Sequence, residues 1–220
     1  MKIMPISYIG ENFGKAIRHV VPKINRDKQI GSHGSLEFNF HVDNPDLSLI
    51  SENSKRSPCL EFLALYCLRG DPKTTTELVN LKDVIQFMSD DEVKIALSNQ
   101  FDIKRPDSFE GDNSCVKSVP LFIKFKGKYY SRYDFHNIQS TNKASQKILN
   151  KISEIFTYRL KPIKIVFEAG DFLIFKNQET MHKRSQFKPN YNGNERWLMR
   201  LFGMGDTPKN HLHNQLVLRS

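Results

Sequence analysis

Leu36-Glu37-Phe38-Asn39-Phe40-His41-Val42-Asp43 alternates apolar and polar side chains over six residues, then closes on a histidine and an aspartate two apart. A period of two marks a strand with one buried face. The stretch therefore predicts a strand over residues 36–41, with Leu36, Phe38 and Phe40 on one side and Glu37, Asn39 and His41 on the other. The same step puts His41 and Asp43 on a common face. An imidazole and a carboxylate held side by side are two ligands of a metal site, although a lone His-x-Asp also ends many ordinary solvated strands.

Outward from this stretch the chain reads as short strands with few helices. Extended segments are predicted over residues 3–9, 16–21, 163–167, 172–176 and 196–202, and a hairpin over 121–133 turns at Lys126-Gly127-Lys128. Residues 60–68 are continuously apolar between Pro58 and Gly70-Asp71-Pro72, the pattern of a strand buried on both faces. Ser89-Asp90-Asp91-Glu92 is a capping box opening a short helix to about residue 98. Residues 105–118 turn polar, as a mobile surface loop does. Thr141 is read as the cap of a helix whose Ile148, Ile152, Ile155 and Phe156 make one apolar face, ended by Pro162. Such a series implies an antiparallel barrel or sandwich with helices outside. One domain spans residues 1–220, with a helix and lid loop inserted at 83–120 and a tail at 203–220.

The 220 residues are 39% hydrophobic and 26% charged, enough for a substantial core. No apolar run approaches the ~20 residues of a membrane span, and the N-terminus has no secretory pattern. Cys59, Cys67 and Cys115 have no paired or metal-finger spacing and read as reduced and structural, which suits a cytoplasmic protein. The net charge of +9 favours anionic partners. The basic residues are scattered, so a small anionic ligand fits and nucleic acid is disfavoured. No nucleotide-binding glycine loop or serine-hydrolase elbow is present.

A second histidine extends the site. His182 follows the predicted strand 172–176, and two imidazoles with one carboxylate form a facial triad that leaves three positions of an octahedral Fe(II) open. Arg196, fourteen residues beyond His182, presents a planar fork suited to a carboxylate, and Arg200 lies four residues further on. Trp197, between apolar neighbours, reads as core. His19, His33 and His136 read as structural or surface residues, and His211 and His213 as part of a polar tail.

These residues carry a resemblance. The segments Ala169-Gly170-Asp171-Phe172-Leu173-Ile174-Phe175-Lys176-Asn177, Met181-His182-Lys183-Arg184-Ser185 and Asn194-Glu195-Arg196-Trp197-Leu198-Met199-Arg200 resemble the C-terminal signature of clavaminate synthase-like oxygenases, within the taurine dioxygenase superfamily. Phe38 to Asp43 resembles the half around that family's His-x-Asp/Glu, and Arg132-Tyr133-Asp134 an element between the two. The resemblance implies a double-stranded β-helix, the cupin-like jelly roll, with flanking helices. It implies Fe(II) on His41, Asp43 and His182, and 2-oxoglutarate with its distal carboxylate on Arg196. It also implies Arg200 near a second carboxylate, a cosubstrate-binding hydroxyl near Thr76, and O2 as co-reactant. Asp134 falls where relatives place an acidic substrate contact. His136 stands where an acid is common in the family, and the family carries a longer segment ahead of the His-x-Asp/Glu than the residues before His41 here.

The resemblance makes hydroxylation of an unactivated carbon in a free amino acid or similar small metabolite the leading expectation. The alternatives are a JmjC-like protein or peptide hydroxylase and an oxygenase-derived binding protein with an impaired site. The sequence assigns no oligomeric state and no particular substrate.

Overall fold

The structure is a computed structural model that describes residues 2–26, 28–50, 52, 57–109, 111–206 and 217–218. His211 and His213 lie outside the described residues. The strands are β1 (Met4–Tyr8), β2 (Arg18–Val20), β3 (Phe38–His41), β4 (Phe62–Arg69), β5 (Thr75–Asn80), β6 (Phe101–Lys104), β7 (Cys115–Val119), β8 (Phe122–Phe125), β9 (Lys128–Ser131), β10 (Ile138–Ser140), β11 (Ile163–Val166), β12 (Phe172–Lys176), β13 (Thr180–Arg184), β14 (Trp197–Met204) and β15 (Val217–Leu218). The helices are α1 (Leu81–Ile85), α2 (Asp90–Ala96) and α3 (Lys143–Tyr158).

Two sheets face one another. The larger runs β12-β4-β14-β1-β15, with β2 also on β14, and the smaller runs β11-β5-β13-β3. This is the double-stranded β-helix expected from the sequence. Leu63, Leu65 and Cys67 of β4 lie in register with Phe202, Arg200 and Leu198 of β14, and this row faces the inside. The opposite face of β4 is open: Tyr66 is 37% and Leu68 38% exposed, beside Phe172 at 63% and Ile174 at 41% on β12. The apolar run 60–68 is therefore a strand with one buried face, not two. Trp197 is half-buried outside both cores, its indole N–H donating to His19 Nδ1 at 2.9 Å.

On the smaller sheet, Met181, Val79 and Phe40 point away from the barrel into a second core shared with α1 and α3. In α3 the spacing of Ile148, Ile152 and Ile155 buries one stripe. Its cap is Asn142, whose Oδ1 accepts from the amides of Ala144 and Ser145. The Thr141 hydroxyl is taken by the Gln100 carbonyl instead, at 3.0 Å.

The polar stretch 105–118 is only in part a loop, because Cys115–Val119 forms β7 and pairs with β6. Its base is pinned where Arg105 donates to buried Asp46 at 2.8 Å and to Asp112 at 2.7 Å. At the other end, residues 203–204 belong to β14, and Val217–Leu218 pair in parallel with β1. Residues 207–216 and 219–220 of the expected tail lie outside the described residues. No helix among the described residues is long and apolar enough to cross a membrane.

Candidate metal centre and its two chambers

Register brings the two candidate histidines together. His182 on β13 is paired with His41 on β3, and their ring centroids are 4.1 Å apart. The next partners are Arg184 and Phe38, so Asn39 and Phe40 stand opposite Lys183 alone. This β-bulge breaks the alternation read from residues 36–41. Phe40 stays in the core, but Phe38 turns to the side of His41 and stacks on its ring at 3.7 Å. A bulge leaves one residue outside the ladder, and two histidines use the freed groups: the Asn39 amide donates to His136 Nε2 at 3.3 Å, and the Asn39 carbonyl lies 2.7 Å from His41 Nδ1. The proton on Nδ1 leaves the Nε2 lone pair of His41 free.

Asp43 is fixed through its backbone. Its amide donates to Asn177 Oδ1 at 2.8 Å, the Asn177 side chain donates back to its carbonyl at 3.0 Å, and the Cys59 thiol donates to the same carbonyl at 3.4 Å. Asn177 follows β12 directly. That strand is entered through the turn at Gly170 (φ +96°), where the Asp171 carboxylate accepts from the Glu168 amide at 2.8 Å.

One candidate ligand atom from each of His41, Asp43 and His182 lies within 4.8 Å of the others, and all three residues are buried. His41 Nε2, Asp43 Oδ2 and His182 Nδ1 have no hydrogen-bond partner among the described residues. Leaving a buried polar atom unsatisfied costs about 1–3 kcal/mol, and each of the three clustered residues carries one, which fits a cation. Burial, with the neighbouring His182, holds His41 well below the usual imidazole range. Burial and the Arg200 charge lower His182 to about 3. Both rings are neutral at pH 7, the state that binds metal.

The cluster stands between two chambers. The inner one, about 60 Å³, lies between the sheets and is walled by Leu63, Leu65, Leu198, Thr76, Arg184 and Arg196. The outer one, about 440 Å³, is bounded by residues 29–33, Pro106-Asp107-Ser108, Arg18, Arg26 and Asp134. Gly31, Ser32, Phe38, His41, Asp43 and Arg200 line both. Arg196 Nη2 donates to Thr76 Oγ1 at 3.3 Å, which brings the hydroxyl that the resemblance placed near Thr76 against the Arg196 fork. Arg196 has no carboxylate partner among the described residues and its Nε has no acceptor, while burial lowers the guanidinium to about 10.

Arg200 and Asp134 have partners within the chain. Arg200 Nη1 donates to Asp43 Oδ1 at 3.2 Å, and Nη2 donates to Glu11 Oε1. Asp134 accepts from the His136 amide at 2.9 Å and from Asn137 Nδ2 at 2.7 Å, and burial raises its carboxyl to about 6.

Sequence reasoning missed Glu11 and Arg184. Glu11 is 2% exposed and binds Arg200 and Asn44. It precedes a 3-10 turn and carries no periodic signal. Arg184 had a signal, since it stands two residues beyond His182 and so shares its strand face.

Comparison with known proteins bears on this geometry. Over 209 residues the chain is 26% identical to L-asparagine oxygenase of Streptomyces coelicolor, covering 92% of this chain and 58% of that protein. Over 207 residues it is 22% identical to L-lysine 3-hydroxylase of Catenulispora acidiphila, covering 91% and 55%. The chain thus spans little more than half the length of these relatives. A crystal structure of asparagine oxygenase with Fe(II), 3-hydroxyasparagine and succinate superposes with a TM-score of 0.85, at 23% identity over 98% of this chain and 66% of that one. The fold is that of the non-heme iron oxygenases. OrfP with iron and α-ketoglutaric acid gives a TM-score of 0.74, at 17% identity over 92% and 61%. These relatives bear out the resemblance to clavaminate synthase-like oxygenases read from the sequence. No protein-family model matches the chain.

Proposed function

We propose that the chain is an Fe(II)- and 2-oxoglutarate-dependent oxygenase that hydroxylates an unactivated carbon of a free amino acid or similar small polar metabolite. The observation that carries this reading is the buried cluster of His41, Asp43 and His182, each with an atom that has no partner among the described residues, beside Arg196, which has no carboxylate partner among them. The oxygenase relatives act in its support.

His41, Asp43 and His182 would hold the iron. Arg196, with the Thr76 hydroxyl against its fork, would bind the distal carboxylate of 2-oxoglutarate in the inner chamber. Bound iron supplies O2 activation coupled to decarboxylation of 2-oxoglutarate to succinate and CO2, with hydroxylation of the substrate carbon. Leu63, Leu65 and Leu198 keep water from the inner chamber, and Phe38 braces the His41 ring. Arg200, tied to Asp43 and Glu11, turns that carboxylate so that Oδ2 remains free.

The outer chamber suits a zwitterion, because Arg18, Arg26 and Arg200 stand there with Asp43, Asp107 and Asp134. Asp134 is proposed as the acidic contact for the substrate. Residues 83–120 serve as an insertion whose 106–108 segment covers this chamber, within one oxygenase domain spanning 1–220.

The test is protein purified anaerobically, loaded with Fe(II), and scored for substrate-dependent succinate release over a panel of amino acids that includes asparagine, lysine and arginine. One bound iron and release with at least one amino acid are expected. Failure to bind iron would return the chain to the binding-protein reading.

A further inference from the structure

Arg184 ends β13 two residues past His182, lines the inner chamber and is 8% exposed. Its partners are not carboxylates. Nη1 donates to the Gly31 carbonyl at 3.0 Å and Nη2 to the Leu36 carbonyl at 2.5 Å, while Nε has no acceptor among the described residues. The two carbonyls lie on one ring of chain, closed by the Leu36 amide donating to the Gln29 carbonyl at 3.2 Å. Only glycine fits at Gly34 in that ring, since a Cβ there would stand 1.8 Å from the Gln29 oxygen. The Phe187 amide donates to the Ser35 carbonyl at 3.0 Å and secures the far edge.

The ring has a place in the site. Gly31 and Ser32 line both chambers, and Gln29, Ile30 and His33 line the outer one. Arg184 also stands in register with Thr76, the residue that contacts Arg196. One side chain thus touches the wall of the outer chamber and belongs to the cationic cluster of the inner one.

We propose that Arg184 is a positioning residue with two separable duties: its two-pronged fork ties residues 29–36 over the junction of the chambers, and its charge adds to that of Arg196 in drawing a dicarboxylate inward. The first duty rests on the geometry of the free chain. The second rests on the oxygenase reading given above.

Two carbonyls need a planar fork, whereas the charge needs only a cation. Arg184→Lys keeps the charge and loses the bridge, while Arg184→Met loses both. In the metal-free protein, the Gln29 and Leu36 amides should exchange hydrogen at least tenfold faster in both variants, with exchange in β4 and β14 unchanged. In the iron-loaded enzyme, both variants should raise the KM for the amino acid, but only Arg184→Met should raise the KM for 2-oxoglutarate tenfold. Unchanged exchange at Gln29 and Leu36, or faster exchange spread equally over β4 and β14, would overturn the tie. Equal KM values for 2-oxoglutarate in the two variants would overturn the charge duty. Faster local exchange in a protein that oxidises no amino acid would leave the tie standing and remove the oxygenase reading instead. Should Arg184→Met fail to fold, Arg184→Lys decides the tie by exchange, and Arg184→Gln, which also removes the charge, takes the place of Arg184→Met in the KM comparison.

Discussion

Asn177 clasps Asp43 by the backbone, with its carboxamide oxygen on the Asp43 amide at 2.8 Å and its carboxamide nitrogen on the Asp43 carbonyl at 3.0 Å. Two strands that never pair directly, β3 and β12, are thereby locked together at the candidate metal centre. Asn177 uses neither carboxylate oxygen, of which Oδ1 accepts from Arg200 and Oδ2 has no partner among the described residues. Substitutions that disturb such outer partners typically cost 10–100-fold in metal affinity. Asn177→Asp, which replaces the donor with a second anion beside a carbonyl, should therefore weaken Fe(II) binding by about tenfold or more. Anaerobic Fe(II) titration beside a melting curve checks this, and a lowered melting temperature with unchanged affinity would make Asn177 purely structural.

Asp43→Ala removes the one anionic ligand of the proposed triad. Iron content should fall and substrate-dependent succinate formation should collapse, while circular dichroism stays unchanged, since Arg200 keeps its partner Glu11. Retained turnover would take Asp43 out of the site.

Arg196→Leu should raise the KM for 2-oxoglutarate at least tenfold with iron binding intact. Truncating one side of a desolvated charge pair costs about 2–5 kcal/mol. Thr76→Val should show a smaller effect of about 0.5–1.5 kcal/mol, the scale of one hydrogen bond. Steady-state kinetics with varied 2-oxoglutarate separates the two, and an unchanged KM in Arg196→Leu would refute the assignment.

The metal-free protein should lose stability on acidification. His182 is held near 3 and His33 near 4 by burial, and His41 also lies well below 6.5. Between those values and 6.5 the unfolded chain carries more protons than the folded one, so stability is lost as pH falls through that window. Asp134, raised to about 6, acts in the opposite direction above its usual value of 3.8, as do Asp46 and Glu61, whose carboxyls burial also raises. Burial lowers His136 too, so four imidazoles, two of them lowered to about 4 and about 3, oppose three carboxyls. The melting temperature of the metal-free protein should drop from pH 7 to pH 5, and His182→Gln should flatten that slope. An equal slope in the variant would contradict the neutral assignment of His182.

Asp134→Asn keeps a side chain able to accept from the His136 amide while removing the charge. If Asp134 meets the substrate, basic amino acids should lose turnover relative to neutral ones. Competition between lysine and asparagine in one reaction measures this directly, and an unaltered ratio would leave Asp134 a loop brace.

The candidate site was legible where it rested on spacing. His41 and Asp43 were two apart, the Gly170-Asp171 turn preceded the second histidine, and Arg196 and Arg200 shared one strand face. The barrel followed from the short strands. Tertiary decisions were not legible. The apolar run 60–68 could not reveal that Tyr66 and Leu68 would be left open, because composition records hydrophobicity and not which face is covered. Glu11 carries no local pattern, and its role appears only when the fold sets it against Arg200. Asn142 outcompeted Thr141 as a cap because the Gln100 carbonyl, distant in sequence, claimed the threonine hydroxyl.

The bulge in β3 makes residue count a chemical variable. Deleting either Asn39 or Phe40 would leave the composition nearly unchanged and give β3 and β13 an unbroken ladder. Yet Phe38 would rotate off His41, the Asn39 carbonyl would return to a strand partner, and His41 would lose the contact that fixes its proton on Nδ1. The number of residues between Phe38 and His41 thus constrains the candidate centre as directly as the identity of its ligands, because the extra residue sets where Phe38 stacks and what His41 Nδ1 meets.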